Sequence, residues 1–89
     1  AAAMEGLTPD STVAVRPGLR WALTPAGSDR VRLRVFDREL SFPAPCEPAL
    51  RAVLSGGPHR VGDLPGLDAD DALVLARRLL REAVAVPTG

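Results

Sequence analysis

One histidine and one cysteine stand beside eleven acidic residues in this 89-residue chain, and any metal site or nucleophilic centre must be drawn from them. A metal needs three or four His, Cys or carboxylate ligands that converge. A non-haem iron triad of two histidines and a carboxylate cannot be assembled from His59 alone. Cys46 and His59 are separated by a stretch that reads as helix, and nothing near them supplies a third, orienting group. Cys46 therefore reads as a small, buried or half-buried thiol. His59, which follows Gly56-Gly57-Pro58, reads as a turn residue. Ser11, Ser28, Ser41 and Ser55 have no nucleophile-elbow context, and the glycines form neither a phosphate loop nor a dinucleotide fingerprint. The chain is expected to be no enzyme by itself and to hold no cofactor or metal.

The charged residues read either as a solvated outer face or as contacts with partners. Every basic residue is Arg, and eleven of them balance eleven acids to a formal charge of zero. Neutrality argues against a general attraction to nucleic acid or an anionic membrane. The absence of Lys, Ile, Asn, Gln and Tyr beside abundant Ala, Gly, Pro and Arg fits a GC-rich genome. Arg20, Arg32 and Arg34 fall on one face of the strands described below. Val74 lies on the charged side of a helix with Asp70, Arg77 and Arg81, and Arg78 follows. Arg20, Arg32, Arg34, Val74, Arg77, Arg78 and Arg81 are the candidate partner-binding residues, for a protein or peptide.

These positions need elements to hold them. Leu19, Trp21 and Leu23 alternate with polar or small residues, as do Val31, Leu33 and Val35, and then Leu40 and Phe42. Such period-2 runs mark half-buried strands. Pro25-Ala26-Gly27-Ser28 divides the first two. A turn at Asp37-Arg38 divides the last two and would set Val35 opposite Leu40 and Leu33 opposite Phe42. Pro43, Pro45 and Pro48 end the sheet, and Pro48 opens a helix that Gly56-Gly57 stops. Val61 to Leu64 spans a single turn. Asp68 caps a last helix with Asp70 and Asp71 in its first turn and Arg77, Arg78 and Arg81 towards its end. Val84 to Val86 reads as a closing strand. The fold class is α+β and winged-helix-like: a three-stranded antiparallel sheet followed by three helices and a short final strand. Residues 1–12 read as a linker or the tail of a preceding element, and 13–87 as the winged-helix-like domain.

Strands followed by a helix-turn-helix unit is also a DNA-binding layout, in which the head of the last helix enters the major groove. Here that head carries Asp68, Asp70 and Asp71, which a phosphate-lined groove would repel. One cysteine precludes an internal disulfide, which suits a reducing, cytoplasmic setting. Neither a signal peptide nor an apolar run long enough for a bilayer is visible.

Four stretches carry a resemblance: Val15-Arg16-Pro17-Gly18-Leu19, Asp37-Arg38-Glu39-Leu40, Val61 through Leu67, and Leu75 through Glu82. Together they resemble the C-terminal winged-helix domain of bacterial cupin/JmjC-type oxygenases, which are similar to ribosomal-protein hydroxylases. In that family Fe(II) and 2-oxoglutarate are bound in a separate, upstream cupin domain, so no catalytic residue carries over to this chain. The resemblance implies an accessory module that packs against the oxygenase domain, dimerises, or helps hold a protein substrate. The order of elements is also similar to the peptide-binding winged helix of the pyrroloquinoline-quinone biosynthesis chaperone. That second resemblance implies a precursor peptide added as an extra strand, in a groove between Glu39–Phe42 or a neighbouring strand and Asp71–Arg78.

Overall fold

A computed structural model describes residues 6–88. The chain is α+β, with two small antiparallel sheets and two α-helices. The strands β2 (Trp21–Pro25), β3 (Arg30–Val35) and β4 (Arg38–Pro43) form one sheet in sequence order. This is the three-stranded sheet that the alternation implies. Val31, Leu33, Val35, Leu40 and Phe42 are buried on one face, while Arg30, Arg32, Arg34, Glu39 and Ser41 are exposed on the other.

The β3–β4 register differs from the expected one by two residues. Val35 pairs with Arg38, Leu33 with Leu40 and Val31 with Phe42. The turn is Phe36-Asp37 rather than Asp37-Arg38, and Phe36 takes φ +54°. A shift of two keeps every side chain on its face, so the hydrophobic pattern is satisfied by either register.

The expected single sheet is accompanied by a second, in which β1 (Thr12–Val15) lies between β5 (His59–Arg60) and β6 (Ala85–Thr88). The expected three helices are two. The helices are α1 (Glu47–Leu54) and α2 (Ala69–Arg81), and Val61–Asp63 makes only a 3₁₀ turn, as does Ala44–Cys46. Three residues between Arg60 and Leu64 are too few for the nucleus of an α-helix.

Residues 6–12, which the composition presents as linker, are part of the packed body. Leu7 is 5% exposed, and Thr12 already pairs with Arg60 and Thr88. The Gly62 N–H donates to the Pro9 carbonyl at 2.8 Å, and a Cβ on Gly62 would come within 3.1 Å of that oxygen. The close approach explains the glycine. Residues 1–5 lie outside the described residues.

The two helices close over the inner sheet face. Ala49, Leu50, Val53 and Leu54 of α1, and Ala72, Leu75, Ala76 and Leu79 of α2, join the strand residues in one core. That core includes no polar or charged side chain among the described residues. Helix α2 begins as its sequence requires: Asp68 accepts from the Asp71 N–H at 2.8 Å. It ends in a paired hydrogen-bond cap, Val84 N–H to Leu79 O and Ala83 N–H to Leu80 O, with Ala83 at φ +62°. That reversal aims the chain back along β1.

Candidate functional site

Two surface clefts on opposite edges of the β2–β3–β4 sheet hold four of the residues singled out above, Val74 and Arg78 in one and Arg20 and Arg34 in the other, while Arg32 lies on the exposed sheet face between them. The first is a groove of about 290 Å³ between the β4 edge and α2, lined by Phe42, Pro43, Cys46, Leu67, Val74 and Arg78 among others. Its position follows from strand order. In an antiparallel ladder, residues alternate between those that bond a given neighbour and those that point away. Ala44 N–H bonds Asp29 O, so Arg38, Leu40 and Phe42 bond β3, while the backbone groups of Glu39 and Ser41 face outward toward α2.

Arg78 spans this groove. Its Nη1 donates to the Ser41 carbonyl at 2.8 Å, and its guanidinium lies 4.4 Å from the centre of the Phe42 ring. It thereby satisfies one of the outward-facing acceptors of the edge. Val74, 63% exposed, stands one helical turn before Arg78 at the mouth of the groove, with Asp71 a further turn-step back. The exposure expected for Val74 from its position on the helical wheel is observed.

Cys46 is in this groove and half-buried. Burial pushes its thiol up from the ordinary value, and the charge of Asp71 adds to that, against a smaller opposing effect of Arg30 and Arg78. A thiol held protonated is a weak nucleophile. His59 lies elsewhere, in β5, where its Nε2 is 3.2 Å from the Gly56 carbonyl. The two residues do not form a pair. Among the described residues no three His, Cys, Asp or Glu side chains are grouped closely enough to hold a metal ion.

The second cleft, about 450 Å³, lies at the other edge and is lined by Gly18, Arg20, Trp21, Ala22, Arg34 and Phe36. It unites Arg20 and Arg34, as the strand alternation implies. It also contains two exposed aromatics that the pattern of the sequence does not single out, Trp21 (38% exposed) and Phe36 (57%). Phe36 is flanked by the guanidiniums of Arg16 and Arg38, 5.7 and 5.8 Å from its centroid. A phenylalanine at positive φ in a two-residue turn, where glycine is usual, is the one detectable signal. It requires knowing the turn, which the sequence leaves open by one residue.

Other ion pairs belong to the scaffold. Arg38 pairs with Glu82 at 2.7 Å and donates to the Glu82 carbonyl, tying the hairpin to the end of α2. Arg60 pairs with Asp10, and Arg34 with Glu39 at 3.2 Å. Arg77 and Arg81 are exposed on α2 and line neither cleft. No helix is long and apolar enough to cross a membrane among the described residues. No protein-family model and no curated protein matches the chain.

Proposed function

We propose that this chain is a non-catalytic protein-interaction and assembly module of winged-helix type, in the cytoplasm, whose groove between β4 and α2 receives an extended segment of a protein partner. The observation that carries the reading is Val74. It is an apolar side chain left 63% exposed at the mouth of a groove lined mostly by apolar residues, with Asp71 and Arg78 its charged members, beside a strand edge. An edge strand offers backbone groups to an added strand, and the groove wall offers side-chain selectivity. The outward-facing N–H groups of Glu39 and Ser41 and the Glu39 carbonyl supply the backbone groups, the Ser41 carbonyl being held by Arg78, and Phe42, Leu67 and Val74 supply the wall.

Chemistry, if the parent protein is an Fe(II)/2-oxoglutarate oxygenase of the cupin/JmjC kind, belongs to an upstream cupin domain. The segment received then comes from that domain, from a second copy in a homodimer, or from the protein substrate. A second reading, recognition of a free precursor peptide, is favoured by the same groove geometry. A DNA-binding reading is opposed by Asp68, Asp70 and Asp71, all exposed at the head of α2.

The test is selection from a phage-displayed library of random peptides on the immobilised chain. The proposal requires enriched peptides with apolar residues at alternate positions, whose binding is lost in Val74→Asp. Absence of any enriched peptide whose binding is lost in Val74→Asp would overturn it.

A further inference from the structure

We propose that the opposite edge of the sheet, β2, is a second docking site, specific for an extended protein segment in which acidic and apolar residues alternate. It stands apart from the groove at β4 and does not depend on it.

The hydrogen-bond parity places the open backbone. Ala26 N–H bonds Arg30 O, so Ala22 and Thr24 bond β3, while Trp21 and Leu23 direct their N–H and C=O groups outward. Pro25, also outward, has no N–H, so an added strand pairs along Trp21–Leu23 and ends there.

The two faces of the edge then define the occupant. On the outer face stand Arg20, Arg30, Arg32 and Arg34 against one carboxylate, Glu39, which is already paired with Arg34. Arg30 donates to the Ser41 hydroxyl. Arg20 and Arg32 have no ion pair among the described residues. The other acids of this region, Asp29 and Asp37, are in the turns at the two ends of β3. In a chain of zero net charge this is a strongly segregated face.

The arrangement differs from ordinary edge protection. Proteins guard edges with charges on the edge strand, with proline or with short strands, and Pro25 so blunts one end of β2 while Trp21–Thr24 carries no charge. Here the edge strand carries the small Ala22 and Thr24, and the charges lie one strand inward. Open space of about 220 Å³ remains above Ala22 and Thr24, bordered by Arg32, Arg34 and Glu39. An added strand would lie about 4.8 Å beyond β2. Its outward side chains would look across that space at Arg32 and Arg34, which suits carboxylates. Its inward side chains would meet the exposed Trp21 and the half-buried Leu23, which suits apolar residues. At the end of the edge, Phe36 and Trp21 wall the adjoining cleft with Arg20.

Trp21 is the only tryptophan, so its fluorescence reports on this edge alone. The probe is a short synthetic peptide alternating Glu and Val, added to the 89-residue chain. The expected result is a saturable fluorescence change, slowed amide exchange at Trp21 and Leu23, and weakening as salt is raised. Arg20→Glu with Arg32→Glu should weaken the binding that Trp21 reports about tenfold, and Arg51→Glu, on α1 and lining neither cleft, should leave it unchanged. A peptide alternating Lys and Val should not bind. Exposed aromatics among arginines also suit single-stranded nucleic acid. If oligouridylate binds and the Glu-Val peptide does not, or if neither protects Trp21 and Leu23, the proposal fails. A far-UV circular dichroism spectrum matching the parent confirms that the double variant is folded, which makes its unaltered binding a refutation as well.

Discussion

Ala83 is the residue on which the passage from α2 to β6 turns, and its replacement by glycine should stabilise the protein. Ala83 sits at φ +62° in the cap that joins Leu79 and Leu80 to Val84 and Ala83. A left-handed conformation costs a residue with a Cβ about 1–2 kcal/mol. Glycine removes that cost, but it raises the entropy of the unfolded chain, worth about 0.4–1 kcal/mol in the opposite direction. The net effect of Ala83→Gly is a gain of about 0.5–1 kcal/mol. In a domain of this size about 1 kcal/mol moves Tm by about 4–8 °C, so the rise should be about 2–8 °C. Thermal unfolding followed at the helix band by circular dichroism measures it. Ala76→Gly is the control. Ala76 is fully buried in the interior of α2, where glycine costs about 1 kcal/mol in helix propensity, with lost burial added. The two substitutions are chemically identical and must move Tm in opposite directions. An Ala83→Gly chain that is folded yet no more stable than the parent would refute the assigned cap geometry.

Three other outcomes follow from the same structure. Leu7→Ala should destabilise by about 2 kcal/mol by chemical denaturation, because Leu7 is 5% exposed within the core, whereas a linker residue would cost nothing. Asp68→Ala should cost about 1 kcal/mol, since the Asp71 N–H loses its acceptor, and Asp68→Ser should restore most of it. Cys46 should react with a disulfide reagent more slowly than the unfolded chain at mildly alkaline pH, because burial raises its folded value. The folded state binds that proton more tightly than the unfolded state, so the stability it contributes is full below the ordinary thiol range and declines as pH rises through it.

Local patterns were the legible part of this fold. The alternation at Val31, Leu33 and Val35 located β3 and its buried face, and Asp68 with the following acids located the head of α2. The exposure of Val74 followed from helical angles alone. What stayed hidden depends on contacts distant in sequence. Thr12–Val15 has no strong alternation because it is held between β5 and β6, so its partners, not its own pattern, make it a strand. Leu7 and Pro9 look like linker residues until Gly62 is brought against them. The hairpin turn was misplaced by one residue because phenylalanine is an unusual occupant of a positive-φ position. The same event concealed the cleft at Trp21 and Phe36, since only the true turn sets Phe36 outside the sheet between Arg16 and Arg38. The groove at β4 could be anticipated as a place, through the resemblance to peptide-binding winged helices. The hold of Arg78 on the Ser41 carbonyl could not, because it joins residues far apart in the chain.

The central claim is that β4 accepts a strand beside α2, and amide hydrogen exchange tests it most directly. Glu39 and Ser41 direct their N–H groups away from β3, toward the groove. With a library-selected peptide bound, exchange at Glu39 and Ser41 should slow by more than tenfold, while Leu40, already bonded to β3, changes little. Saturating peptide that leaves Glu39 and Ser41 exchanging at their free rates would contradict the account.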